Sequence, residues 1–327
     1  MKSTDPQKYI SGVLAQDRPL LARTITLIES ARHDHQELSR AILDGLLPHT
    51  GKAVRLGITG VPGAGKSTFI ESLGTYLTGK GHRVAVLAVD PSSTRSGGSV
   101  LADKTRMERL SVELNAFIRP SPSSGTLGGV ARKTRETMLA CEAAGFDVII
   151  VETVGVGQSE IAVASMVDFF LVLMLAGAGD EIQGIKKGIL ELADAVTVNK
   201  ADGDNIKKAQ KACRDYKNAL HFLRPSTPNW SPPVLTCSAL EMNNIDKIWE
   251  TVLDHRLKLS ASGELDEKRS SQSLDWMWSL VEEGLKERFR KHPQVKKNLT
   301  KVTRDVSMGK TTPTIAACEL LELMQNS

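Results

Sequence analysis

Through the middle of the chain, short apolar runs rich in β-branched residues alternate with stretches whose apolar positions recur at helical spacing. The runs are residues 54–59, 84–89, 116–118, 148–152, 169–175, 195–198 and 234–237. Between them the spacing predicts helices over 66–78, 103–110, 129–144, 182–192 and 206–223. Strands that are apolar at nearly every position, separated by helices, belong in a largely parallel sheet covered on both faces. Such a sheet takes its ligands at the carboxyl ends of its strands. Ahead of it, Leu20, Leu21, Ile25, Leu27, Ile28 and then Leu38, Ile42, Leu46 and Leu47 predict a helical hairpin with a polar break at 32–35. After Ile245 the pattern is helical almost throughout, and Ser260-Ala261-Ser262-Gly263 marks a break in it. The expected organisation is an N-terminal helical extension (1–50), an α/β domain (51–260) and a helical C-terminal region (261–327).

Between the first strand and its helix lies Gly60-Val61-Pro62-Gly63-Ala64-Gly65-Lys66-Ser67-Thr68. Glycines at this point let successive backbone N–H groups turn onto phosphate oxygens at a helix N-terminus. Lys66 then brings a point charge to the β- and γ-phosphates, and the Ser67 hydroxyl is placed to ligate Mg²⁺. A phosphate loop does not name the base, but Asn199-Lys200-Ala201-Asp202 does. In an N-K-x-D loop the aspartate accepts two hydrogen bonds from guanine that adenine has no donors to make, so the wrong base leaves a carboxylate unpaired. Asn199 is expected to brace the loop and the Lys200 stem to cover the base. Ser238-Ala239-Leu240, just past the last strand, is the natural second wall.

Two acidic strand ends point to the metal. Asp90 closes the strand over 84–89, and Glu152 closes the one over 148–152, where an aspartate is more usual. The longer Glu152 favours a contact through water, in keeping with the hydration shell that Mg²⁺ retains. The Gly155 N–H is placed to meet the γ-phosphate, so that Gly155-Val156-Gly157-Gln158 would sense hydrolysis. A small-residue stretch after Asp90 leads to Asp103, Lys104 and Arg106, which would close over phosphate and metal. A second loop, from Ala176 to Gly188, carries Asp180, Glu181, Gln183, Lys186 and Lys187, charges able to change partners when phosphate or protein arrives.

Composition narrows the setting. Lys plus Arg number 42 against 38 Asp plus Glu, and a net charge of +4 does not suggest a dedicated nucleic-acid binder. The basic residues crowd between Lys286 and Lys301, which reads as a solvated helix face. Cys141, Cys213, Cys237 and Cys318 stand far apart without metal spacing, as reduced thiols do. No signal core and no apolar run of membrane-spanning length is present, so a cytoplasmic protein is expected. His33 and His35 fall in the expected turn and read as surface residues. Trp249, Trp276 and Trp278 suit either a helical core or a subunit interface.

The strings GVPGAGKST, VDPSSTRSGGSVLADKTRM, ETVGVGQSE, GDEIQGIKKG and VNKAD, in this order, resemble the MeaB/ArgK family of G proteins associated with methylmalonyl-CoA mutase. The resemblance implies a P-loop fold with a dimerisation arm, GTP/GDP and Mg²⁺ as ligands, and a homodimer. It implies Lys66 and Ser67 for phosphate and metal, and Asp90, Asp103 and Glu152 for the metal and first switch. It implies Asn199, Lys200 and Asp202 for guanine, and a further switch through Gln183, Lys186 and Lys187. The family's task is to gate adenosylcobalamin delivery to the mutase, with GTP hydrolysis as the timer. Val156 follows Gly155 directly, so the glutamine that often orients the attacking water is missing there, and slow, partner-stimulated hydrolysis is expected. A metallochaperone for a nickel enzyme and a kinase acting on transport proteins are the alternatives. The first would want a His-rich or Cys/His metal pair, and the second an acceptor pocket with a base.

Overall fold

The computed structural model describes residues 5–89, 107–121, 127–153, 159–177, 187–221 and 227–325. Seven strands form one sheet: β1 (Val54–Gly60), β2 (Val84–Val89), β3 (Ala116–Ser121), β4 (Val148–Thr153), β5 (Phe169–Leu175), β6 (Ala195–Asn199) and β7 (Val234–Thr236). They lie in the order β3-β2-β4-β1-β5-β6-β7, and every pairing is parallel. Successive side chains of a strand point to opposite faces, so an unbroken apolar run fills two cores at once. In β5, Phe169, Leu171 and Leu173 enter one core, while Phe170, Val172 and Met174 enter the other. Gly57 brings β1 close under the helix over Ser159–Ala164, because a Cβ there would lie 3.0 Å from Val163 of that helix, and 2.9 Å from Val167 and Phe170 that follow it.

One face carries α4 (Lys66–Gly79) and α10 (Ile245–Ser262), packed through Phe69, Ile70, Leu73, Ile248 and Val252. Trp249 is buried in this core, edge-on to the His82 ring at 5.5 Å. α5 (Glu108–Val112) lies against α4 on this side through Leu110. The other core takes in α1 (Pro6–Leu14), α2 (Arg18–Glu29), α3 (His33–Leu46) and α6 (Leu127–Ala143). It also holds residues of α7 (Ser159–Ala164), α8 (Lys187–Glu191) and α9 (Ile206–His221). Asp5 and Asp17 cap α1 and α2 by accepting from Gln7 N and Leu20 N, each followed within two positions by a proline. Arg18 donates to the Leu114 and Ala116 carbonyls, and Arg119 pairs with Glu29, tying these helices to the edge of β3.

The hairpin expected over 18–47 is present as α2 and α3, but its break falls at 30–32. His33 and His35 are therefore in the first turn of α3, not in a turn between helices; His35 Nδ1 lies 2.9 Å from Ser30 Oγ. α10 ends where the Ser-Ala-Ser-Gly stretch predicts, with Gly263 at φ 82° as the left-handed residue.

The chain divides into two compact units, Met1–Gln272 and Ser273–Ser327. The first turns of α11 (Glu264–Lys291) belong to the first unit and are bolted to the amino ends of β1 and β5. Arg269 reaches both Asp168 oxygens at 2.8 and 2.7 Å and the Ala53 carbonyl at 2.8 Å, while Gln272 donates to Val167 O at 2.9 Å. In the second unit, α12 (Pro293–Ser307) and α13 (Pro313–Gln325) pack side by side, with Val295, Val302 and Ala316 buried. Leu274, Trp278, Val281 and Leu285 are exposed along one stripe of α11. No described helix is long and apolar enough to cross a membrane.

Candidate GTP site

β1 is central in the sheet, and its carboxyl end leads into the glycine loop. At Gly60 a Cβ would sit 2.2 Å from the Leu173 carbonyl oxygen, so only glycine lets β1 leave the sheet there. Gly65, at φ 82°, turns the chain into α4, and a Cβ on it would meet Asn199 Nδ2 at 2.9 Å. Ala64 is buried between these points, while Pro62, Gly63 and Thr68 are exposed and Val61 is half-buried. Lys66 heads α4 and donates from Nζ to Gly60 O at 2.9 Å, with Val61 O at 3.5 Å. Burial pulls the Lys66 ammonium below the ordinary lysine value, opposed by the charges of Glu152 and Glu160.

The register of β1 on β4 sets Glu152 opposite Ile58, two residues before the loop. Ser67 Oγ donates to Glu152 Oε1 at 3.2 Å. A hydroxyl and a carboxylate brought together beside a phosphate loop form the oxygen donor set that a hydrated Mg²⁺ takes. Above the same pairing, Thr153 Oγ1 donates to Thr59 Oγ1 at 2.7 Å in a buried bond between the two strand ends.

Asn199, the last residue of β6 and 1% exposed, joins three segments. Its Nδ2 donates to Ala64 O at 2.8 Å, and its Oδ1 accepts from Ala239 N at 3.1 Å and Cys237 Sγ at 3.4 Å. Burial, and secondarily Asp202, pushes the Cys237 thiol up to about 12, so it keeps the proton it donates. Lys200 takes the left-handed conformation at φ 59°, and its Cε would lie 3.9 Å from a Cβ on Gly65. Asp202 Oδ2 accepts from Ser238 Oγ at 2.5 Å, and Ser238 Oγ in turn accepts from Glu241 N at 3.1 Å. Ala239 is held from beneath, where Ser72 Oγ of α4 donates to its carbonyl at 2.6 Å. Leu240 beside it is 79% exposed.

The structure thus brings Gly60–Ser67, Glu152, Asn199–Asp202 and Ser238–Ala239 to one edge of the sheet. Asp90, Asp103, Gly155, Gln158, Gln183 and Lys186 lie outside the described residues, and Lys187 opens α8. Two contributors escape a reading of the sequence. Ser72 looks like any small residue of a helix. Glu160, in the first turn of α7, is 1% exposed and accepts from Ser159 Oγ at 3.4 Å. Its only signal is an acid placed directly before Ile161-Ala162-Val163, where the helix turns inward.

The family described as "Methylmalonyl Co-A mutase-associated GTPase MeaB" matches residues 21–294. The chain belongs to this family. It is 54% identical over 267 residues to "GTPase ArgK" of Escherichia coli, covering 82% of this chain and 81% of that one. To the mouse "Methylmalonic aciduria type A homolog, mitochondrial" it is 46% identical over 329 residues, covering 98% of this chain and 79% of that protein. Among solved structures, one titled "Crystal structure of LAO/AO transport system kinase" aligns with a TM-score of 0.80 at 41% identity, covering 100% of this chain and 99% of that chain. The protein is a P-loop GTPase with a seven-stranded parallel sheet flanked by helices.

Proposed function

We propose that this MeaB-family GTPase is a nucleotide-timed chaperone for methylmalonyl-CoA mutase or a related cobalamin-dependent mutase, gating the loading and protection of that enzyme. The observation that carries the nucleotide half of the reading is Asn199, whose amide ties the phosphate loop to both walls of the base site. In this reading Lys66 exchanges its loop carbonyls for β- and γ-phosphate oxygens, and the backbone N–H groups of 61–68 cradle them. Ser67 would hold Mg²⁺ directly and Glu152 through its water shell, with Asp90 and Asp103 completing the metal and first-switch set. The ion would screen charge on the phosphates as the γ-phosphoryl group departs. Asp202 receives the guanine N1–H and 2-amino group while Ser238 fixes its other lone pairs; Ala239 and Leu240 border the base. Gly155 and Gln158, and the segment with Gln183, Lys186 and Lys187, report the state of the γ-phosphate to the mutase. Val156 in place of a water-orienting glutamine makes hydrolysis slow until the partner supplies the missing group.

The mutase assignment is supported by membership of a mutase-associated GTPase family, and the dimer by the apolar stripe Leu274, Trp278, Val281 and Leu285 on a separate unit. The reading keeps 1–50, 51–260 and 261–327 as extension, GTPase domain and dimerisation region. The deciding experiment is Asp202→Asn with GTP and xanthosine triphosphate. The amide can donate to a 2-oxo group, so GTP binding should weaken by at least about tenfold and xanthosine triphosphate gain. Unchanged GTP affinity would remove the guanine assignment. Because one similar structure is titled a kinase, γ-labelled GTP separates the two chemistries: free phosphate supports the timer, and label on an acceptor would replace it with a transferase.

A further inference from the structure

A groove of about 530 Å³ opens at the amino ends of β5 and β6, at the end of the sheet away from the glycine loop. Its apolar walls are Ile161 of α7, Phe170, Leu192 after α8, and Pro228. Ile161 is 61% and Leu192 37% exposed, although each sits beside buried core. One end is acidic. Glu264 and Glu267 line it and enter no ion pair among the described residues. Glu264 Oε1 accepts from Asn229 Nδ2 at 2.6 Å, but its Oε2 is buried with no hydrogen-bond partner, as is Thr227 Oγ1 on the same wall. The cation that lines the groove, Lys268, is already committed, 2.7 Å from Asp168 O and 3.4 Å from Asp194 Oδ2.

A concave surface with apolar walls and spare acceptors at one end calls for an occupant with an apolar stem and a cationic, donor-rich head. We propose that this groove docks an extended segment of a partner protein, inserting an arginine or lysine whose stem lies on Ile161, Leu192 and Pro228 and whose head pairs with Glu264 and Glu267. The volume suits a few residues of chain and not a small ion. α7 and α8 follow directly in sequence on residues 154–158 and 178–186, so a segment seated here holds the far ends of the helices that continue both stretches.

The test is methyl NMR on the full chain, titrated with acetyl-Leu-Arg-Leu-amide and, separately, acetyl-Leu-Glu-Leu-amide. The basic peptide should shift the Ile161 and Leu192 methyl signals saturably, and the acidic one should not. Glu267→Gln should weaken the basic peptide about tenfold and Glu264→Gln with Glu267→Gln further, as expected for loss of charge-assisted hydrogen bonds. GTP affinity, read on the same samples, should not change; Glu267 is exposed, so its variant should fold normally. Equal shifts from both peptides, shifts absent from Ile161 and Leu192, or undiminished binding by the glutamine variants would overturn the proposal.

Discussion

Asn199→Ala tests whether the site is held together as one body. Truncation removes the donor to Ala64 O at 2.8 Å and the acceptor for Ala239 N at 3.1 Å. Ala64 and Ala239 are 0% and 3% exposed, so water cannot readily replace the lost partners. A buried polar group left unpaired costs about 1–3 kcal/mol, which puts the pair at roughly 2–5 kcal/mol once partial relaxation is allowed for. Against a native stability of about 5–15 kcal/mol, that is a large share. For a unit of this size each kcal/mol moves the midpoint by about 2–4 °C, so the nucleotide-free variant should melt roughly 5–15 °C lower. Urea unfolding of the apo protein, followed by far-ultraviolet circular dichroism, gives the same quantity independently. Asn199→Asp keeps the acceptor for Ala239 but aims a charge at the Ala64 carbonyl, so its loss should be at least as large. A change below about 1 kcal/mol in both variants would mean that the three segments are held by packing alone, and the argument from the amide would fail.

Lys66→Met should abolish tight GTP binding yet stabilise the apo protein at neutral pH, because burial makes the folded state a poor host for that charge. The sign follows from the lowered pKa: the folded protein releases the Nζ proton before the unfolded chain does. Wild type should therefore gain stability relative to Lys66→Met as pH rises towards the ordinary lysine value of 10.5, as urea midpoints across that range would show. Arg269→Ala leaves Asp168 buried without its two-pronged partner and should destabilise the protein by about 3–5 kcal/mol in calorimetry. Trp278→Glu should convert a dimer to monomer in analytical ultracentrifugation without altering GTP affinity, and a dimer that persists would move the subunit contact elsewhere.

The sheet was legible to the residue where physics makes the pattern redundant. Residues 84–89 and 169–175 are strands over those spans, apolar at every position because both of their faces are covered. The phosphate and base loops were legible for another reason: each needs particular atoms at fixed offsets, and few other sequences supply them. What the sequence hid was whatever depends on distance across the fold. α1 was missed although Asp5 and Pro6 give it a sound start, since nine residues with Ile10 and Val13 inward carry too short a period to stand out. Ser72 became a support of the base wall only because α4 runs beneath Ala239, 167 positions later.

The amino end of the sheet follows the same logic with charges in place of apolar groups. Asp168 and Asp194 are 3% and 2% exposed, and neither belongs to the nucleotide edge. A buried carboxylate is tolerated only when its lone pairs are taken up, and here the partners come from far along the chain. Asp168 takes the Arg55 amide at 3.0 Å and Arg269; Asp194 takes the Phe170 amide at 2.8 Å and Lys268 at 3.4 Å, and His255 Nε2 stands near it at 3.6 Å. Partner contacts keep Asp194 below the ordinary aspartate value, although burial, the largest single influence, pushes the other way. Replacing such pairs with apolar residues would often be neutral for stability, so their value lies in direction: they admit one placement of the first turns of α11 on the strand ends. That placement puts Glu264 and Glu267 at the mouth of the groove beside α7, which is why a docking surface exists there at all.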